Sequence, residues 1–229
     1  MINCSILCGG QSYWNPYINW IKKDSIDSNY TLCGIWNPPV DVGLPEEKPS
    51  KLFEISDVIL SFGFDKIISE SNILKVPMGI INFHNSYRLK HRGSNCSSYP
   101  ILNQDKKHGA SMHFINKKLD DGAIIDTNFF KIEDSDTAED IFYKAHNLGL
   151  SLLKKNFKKI INGSCLKPIP SDKESIMHRK KDLIHELKFK ELDDEKKFFR
   201  KVRALTFKGK PLPYIKMGNQ KIEFKFSKI

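Results

Sequence analysis

Asn82 and His84 stand two residues apart at the end of an apolar run, Ile80-Ile81-Asn82-Phe83-His84. On a strand that spacing puts an amide and an imidazole on one face. Each needs a hydrogen-bond partner when buried, so the pair alone reads first as two satisfied structural polar residues. Its company widens the reading. Downstream come Arg92-Gly93, then Gly109-Ala110-Ser111-Met112-His113-Phe114, then Leu119-Asp120-Asp121-Gly122. An aspartate at a turn before a glycine can reach back towards a neighbouring strand end. A carboxylate beside an imidazole holds its tautomer and raises its basicity, and an amide can hydrogen-bond an oxyanion. Together the three groups suit acyl transfer to an amine, one steadying the oxyanion while the others handle protons.

The elements that would position them are legible in the hydrophobic pattern. Ile2–Cys8, Tyr30–Trp36, Val58–Phe64 and Gly79–Phe83 are short apolar runs, rich in β-branched or aromatic residues and lacking clean alternation. Such runs suit strands buried on both faces of a parallel sheet. Ala110–Ile115 and Ala123–Ile132 read as two more strands, joined by the polar loop Asn116–Gly122, and Pro38-Pro39 through Pro49 reads as a loop. Asp136 and Thr137, with Glu139 and Asp140 at capping-box spacing, open a helix striped by Ile141, Ala145, Leu148, Leu152 and Ile160 and stopped by Gly163. Tyr214–Met217, Gly218-Asn219 and Ile222–Phe226 read as a β-hairpin, too short to stand alone and so expected to pack on a helix or a second subunit. The fold class is therefore α/β, an open and mostly parallel sheet, in which ligands bind at the carboxyl ends of the strands.

Composition narrows the function classes. The chain has 229 residues, 40% of them hydrophobic, enough for one full domain plus a small appendage and too apolar for intrinsic disorder. There is no apolar stretch near the length of a membrane span and no signal-peptide pattern, which points to the cytoplasm. Cys4, Cys8, Cys33, Cys96 and Cys165 are odd in number and scattered without a C-x-x-C pair, against both a disulfide framework and a metal site. The net charge of +10 is uneven: residues 1–164 hold 19 Lys+Arg against 18 Asp+Glu, whereas residues 165–229 hold 18 against 9. That shift places a boundary near Gly163–Pro170. A basic tail reads as a solvated face, or as attraction for a polyanion such as RNA or for a phosphorylated small molecule.

The ordered set Asn82-Phe83-His84, Arg92-Gly93, Gly109-x-Ser111-x-His113 and Leu119-Asp120-x-Gly122 resembles the 10-formyltetrahydrofolate-dependent formyltransferases, over roughly residues 1–165. The resemblance implies a Rossmann-like sheet, a catalytic domain over 1–165 and a small basic extension over 166–229. That extension is expected to be a helix and β-hairpin, and the resemblance implies that Asn82, His84 and Asp120 are the catalytic Asn-His-Asp, with Asp121 at the family's variable position. One departure is visible: Leu89 stands where the family has proline, which leaves the shape of the Tyr87–His91 loop open.

The resemblance also implies a formyl donor, 10-formyltetrahydrofolate, beside Phe64, Lys66, Ile67 and Ile68, flanked by Ile115 and Asp121. Read without it, Phe64–Ile68 is an ordinary strand-to-helix turn. The loop Gly9, Gly10, Ser12, Tyr13, Trp14 faces the amine substrate in the family, together with Arg92. Tyr13 or Trp14 could stack on a nucleotide base, although aromatic residues in that position are commonly core. The Arg203–Phe207 run and hairpin look most like the sugar N-formyltransferases, which implies a nucleotide-linked amino-deoxysugar, commonly dTDP-linked and used in bacterial surface glycans such as lipopolysaccharide O-antigen, with a homodimer through the hairpin region. No metal, membrane or nucleic acid is expected. Methionyl-tRNA and glycinamide ribonucleotide formyltransferases remain alternatives of the same chemistry, and a non-catalytic basic RNA-binding protein is the alternative of another class.

Overall fold

A computed structural model of the chain describes residues 1–26, 30–36, 49–164 and 168–227. Pro38-Pro39 and Cys165 lie outside them. In chain order the elements are β1 (Ile2–Cys8), α1 (Asn15–Ile26), β2 (Tyr30–Trp36), α2 (Pro49–Ile55), β3 (Val58–Phe62), α3 (Glu70–Ile73), β4 (Ile80–His84), β5 (His91–Gly93), α4 (Tyr99–Leu102) and β6 (Lys107–Phe114). There follow β7 (Ile124–Lys131), α5 (Ala138–Ile161), β8 (Ile176–His178), α6 (Glu195–Leu205), β9 (Tyr214–Met217) and β10 (Gln220–Glu223), with short 3₁₀ turns between.

Six strands form one sheet in the order β2-β1-β3-β4-β6-β7. The pairs β1–β2, β1–β3 and β3–β4 are parallel and β4–β6 is antiparallel, so the expectation of an open, mostly parallel α/β sheet holds. All five residues of β3 are buried, as a strand covered on both faces requires. Among the described residues no helix is long and apolar enough to cross a membrane.

The chain divides into two compact units. The first comprises Met1–His84, Ser111–Thr127 and Gly149–Ser171. On one side of its strands Ile6, Leu60, Ile81, Phe83 and Met112 pack with Tyr17, Ile18 and Ile21 of α1 and with Leu153, Phe157 and Ile160 of α5. A second apolar cluster joins Leu7, Ile59 and Ile80 to Leu52 and Phe53 of α2. Asp126 accepts hydrogen bonds from Lys155 and Asn156, which tie β7 to the end of α5.

The second unit comprises Asn85–Ala110, Asn128–Leu148 and Asp172–Ile229. Thr137 and Asp140 bond reciprocally at the start of α5, the backbone nitrogen of each donating to the side chain of the other, as the capping spacing anticipated. The hairpin is present, with Gly218-Asn219 as its turn, although its second strand begins at Gln220 rather than Ile222. It packs on a helix: Ile215, Phe224 and Phe226 join Leu187, Phe198, Val202 and Leu205 in one apolar cluster. Arg203 of α6 donates to the carbonyls of Glu133 and Asp136, fastening that helix to the start of α5. The expected C-terminal helix is present as α6, whereas the short parallel pair β5–β8 was not anticipated.

Candidate active site

Register decides what faces what at the end of β4. Asn82 pairs with His113 and His84 with Ser111 across the antiparallel β4–β6 ladder. Strand alternation then separates two faces: Ile81, Phe83 and Met112 enter the core, while Asn82, His84, Ser111 and His113 share the other side. The strand pair itself thus delivers two imidazoles, an amide and a hydroxyl to one patch.

Asp120 arrives from the loop between β6 and β7. Asn116 shapes that loop, accepting from the backbone nitrogen of Lys118 and donating to the carbonyl of Asp121. Gly122 closes it, because a Cβ there would sit 1.6 Å from the carbonyl oxygen of Phe114. Asp120 itself is left-handed, with φ +47°. That conformation is uncommon for a residue with a side chain and best tolerated by aspartate, asparagine and glycine. Held there, the carboxylate turns back over β4 and is 9% exposed.

The polar atoms converge. Asn82 Nδ2 donates to Asp120 Oδ1 at 3.2 Å and lies 3.2 Å from His113 Nε2. His84 Nδ1 stands 3.6 Å from Asp120 Oδ2, a charge contact longer than a hydrogen bond. His113 Nδ1 lies 2.9 Å from the carbonyl oxygen of Phe114. A carbonyl only accepts, so His113 carries its proton on Nδ1 and presents a lone pair from Nε2. Two acceptors therefore face one terminal atom of Asn82, which identifies that atom as the nitrogen. Both of its N–H groups are engaged, one by Asp120 and one by His113.

His113 is the residue to which the sequence reading gave no role. The signal was present: Ser111 and His113 repeat the two-residue spacing of Asn82 and His84, and an antiparallel neighbour puts such pairs face to face.

The other expected residues fall into groups. Phe64, Ile68 and Ile115 pack in one apolar cluster with Trp36. Trp36 meets Phe64 edge-to-face at 5.2 Å, and Lys66 Nζ lies 5.2 Å over the Trp36 ring. Ile67 is not brought to that cluster and stands 90% exposed. Asp121 is near Lys118, at 3.8 Å. The first loop, Gly9 to Trp14, follows β1, with Gly9 donating to the carbonyl of Phe62 and Gly10 left-handed at φ +78°. Ser12 is exposed in that loop and Tyr13 packs partly against the core. Trp14 takes the core alternative: it is 4% exposed, stacked on Phe62 and edge-on to Tyr17, so its ring supports the loop from beneath.

Arg92 belongs to the second unit, on β5. The loop before it explains the missing proline. Leu89 is fully buried with φ +55°, whereas proline is fixed near −65°, so this backbone excludes proline at that position. Arg88, at φ +50°, is left-handed too. Two consecutive left-handed residues with side chains store about 1–2 kcal/mol of strain each.

Residues 48–156 match the formyl transferase family. The bifunctional polymyxin resistance protein ArnA of Wigglesworthia glossinidia brevipalpis is 35% identical over 106 residues, 46% of this chain and 16% of that protein. A methionyl-tRNA formyltransferase of Lactobacillus acidophilus is 30% identical over 139 residues, 61% of this chain and 44% of that protein. The matches therefore span less than half the length of these curated relatives. Among solved structures, a sugar N-formyltransferase from a Shewanella species superposes with a TM-score of 0.82 at 18% identity, covering 99% of this chain and 98% of that one. The N-formyltransferase of Helicobacter canadensis, in complex with folinic acid and dTDP-3-aminofucose, gives a TM-score of 0.74 at 24% identity, covering 91% of this chain and 82% of that one. At these identities the likeness is one of fold.

Proposed function

We propose that this chain, whose residues 48–156 match the formyl transferase family, is a sugar N-formyltransferase, moving a formyl group from 10-formyltetrahydrofolate to the amine of a nucleotide-linked amino-deoxysugar. The observation that carries the reading is the convergence of Asn82, His84 and Asp120 at the end of β4.

Each group has a defined task. The neutral amine attacks the formyl carbon, and negative charge grows on the formyl oxygen. Protonated His84 and the amide of Asn82 steady that charge; oriented donors of this kind are typically worth about 10²–10³ in rate. Asp120 and His113 both hold the Asn82 amide, so one of its two N–H groups must leave its present partner to reach the formyl oxygen. Asp120 orients His84 and takes part in moving the amine proton to the departing nitrogen. Phe64, Ile68 and Ile115, which pack in one apolar cluster, are assigned to the faces of the folate ring, together with Lys66, Ile67 and Asp121. Gly9, Gly10, Ser12, Tyr13 and Arg92 are assigned to the amine substrate.

Support for a sugar acceptor comes from solved structures such as the Shewanella and Helicobacter canadensis enzymes, with TM-scores of 0.82 and 0.74, against 0.73 for the methionyl-tRNA formyltransferase of Clostridium thermocellum, which also covers the whole chain. A methionyl-tRNA acceptor is the second reading, favoured by the sequence relatives, while the basic tail suits a pyrophosphate-bearing substrate and tRNA equally. Surface-glycan biosynthesis, a cytoplasmic location and a homodimer through the hairpin of residues 166–229 belong to the same proposal. The test is mass spectrometry of a panel of dTDP- and UDP-linked amino sugars, initiator tRNA and glycinamide ribonucleotide, each incubated with protein and 10-formyltetrahydrofolate. One formyl group gained by a sugar nucleotide and none by tRNA supports the reading; formylation confined to tRNA overturns it.

A further inference from the structure

Downstream of β4 the backbone does something costly. Arg88 and Leu89 are both left-handed, at φ +50° and +55°, although neither is glycine. Such residues persist only where surrounding contacts over-determine them. Within the second unit one short stretch, Asp172–His178, supplies several of those contacts. The backbone nitrogen of Asp172 donates to the carbonyl of Arg88 at 2.7 Å, Ser175 Oγ donates to the carbonyl of Leu89 at 2.7 Å, and the nitrogen of Ile176 donates to the carbonyl of Lys90 at 2.8 Å. The stretch then pairs as β8 with β5, in the register His91↔Ile176, Arg92↔Met177 and Gly93↔His178. Gly93 must be glycine for this approach: its φ is +78°, and a Cβ would lie 2.4 Å from the carbonyl oxygen of His178. Ser94 completes the zipper by donating to that same carbonyl at 2.9 Å.

A buried polar chain closes the far end. His178 Nε2 lies 3.0 Å from His91 Nδ1, and His91 Nε2 lies 2.7 Å from Asp105 Oδ2. Lys90 donates to the other oxygen of Asp105 at 3.0 Å. The ring of Tyr99 stacks on His178 with centroids 3.5 Å apart. None of these groups belongs to the Asn82–His84–Asp120 site.

We propose that Asp172–His178 is a strap that holds the Ser86–Gly93 turn, and Arg92 with it, in its strained shape, and that His178 is the positioning residue that locks the strap through His91 and Asp105. The consequence for Arg92 rests on its assignment to the amine substrate; the strap itself does not.

The test uses the full chain and two variants. His178→Phe keeps a flat ring on Tyr99 but removes the bond to His91, and Ser175→Ala removes the bond to Leu89. Hydrogen exchange followed by mass spectrometry reads residues 86–93, with the 150–160 stretch of α5 as an internal control. Exchange at 86–93 is expected to rise about tenfold in His178→Phe and less in Ser175→Ala, with α5 unchanged. The KM for the amino-sugar nucleotide is expected to rise several-fold while kcat and the KM for the folate donor stay within about twofold. Unchanged exchange at 86–93 in both variants overturns the strap. Faster exchange with an unchanged sugar KM keeps the strap and overturns the placing of Arg92 at the substrate.

Discussion

The amide nitrogen of Asn82 lies 3.2 Å from Nε2 of His113, across a strand pair whose register sets the two residues directly opposite. Since His113 Nδ1 is committed to the Phe114 carbonyl, the imidazole acts as an acceptor that holds the amide in one orientation. His113→Ala removes that hold together with the hydrogen bond from Nδ1 to the Phe114 carbonyl. Formylation is expected to fall about tenfold in kcat, and stability by about 1–3 kcal/mol. Steady-state kinetics and denaturant unfolding on the same preparation measure the two effects.

Asp120 combines a charge with a left-handed backbone, and substitutions can separate them. Asparagine tolerates that conformation, so Asp120→Asn keeps the loop and removes the carboxylate. We expect formylation to fall by roughly 10²–10⁴ with little change in thermal stability. Asp120→Ala is expected to lose comparable activity and also to unfold several degrees lower, because alanine bears the full cost of the positive φ. Equal melting temperatures for the two variants would contradict the strain argument.

Much of this was legible in the chain, for identifiable reasons. The strands buried on both faces announce themselves as unbroken apolar runs, which is why Ile2–Cys8 and Tyr30–Trp36 coincide with β1 and β2. Asn82 and His84 were legible because polar residues interrupt such a run at a two-residue spacing, and Asp120 because its loop ends in a glycine. The pairing of Asn82 with His113 was not, since register is a tertiary property. Trp14 shows the opposite limit: an aromatic residue after a strand can face ligand or core, and only packing against Phe62 and Tyr17 decides. The β5–β8 pair escaped because three-residue strands carry no period, and because its glycine serves a close approach by a segment 85 residues later.

The Leu89 backbone yields a prediction that runs against the family pattern. Leu89→Pro restores the residue common at this place in the formyltransferases, yet the site has φ +55° and is fully buried. Proline cannot adopt that angle, so the substitution is expected to destabilise the protein by about 3 kcal/mol or more. For a chain of this size that corresponds to roughly 6–12 °C in melting temperature. A neutral or stabilising effect by calorimetry would contradict the left-handed turn.

His178 gives a pH dependence. Burial, reinforced by the neighbouring His91, pushes its pKa down from the ordinary 6.5 to about 4, against a smaller opposing pull from Asp182. The unfolded chain therefore binds a proton at this residue between pH 6.5 and about 4 that the folded chain does not. Stability should fall as pH drops through that window and level off below it. The charged and titratable groups around it are His91, Asp105, Lys90, Tyr99 and Asp182. Asp105 responds only at lower pH: burial raises its pKa, but the hydrogen bonds from His91 and Lys90 outweigh that and hold it below the usual carboxylate range. In His178→Phe the loss of stability between pH 6.5 and 4 is expected to be shallower than in the native protein, measured by denaturant midpoints across the range.

The most direct test of the central claim follows one labelled carbon. Protein, a dTDP-linked amino sugar and 10-formyltetrahydrofolate carrying a ¹³C formyl group are mixed, and the new formamide resonance is followed by NMR for the native chain, His84→Ala and Asp120→Asn, each shown to be folded. The account predicts label on the sugar nitrogen with the native chain, and a rate lower by at least about a hundredfold in both variants. Equal transfer in all three, or a native chain that labels no amine, would contradict it.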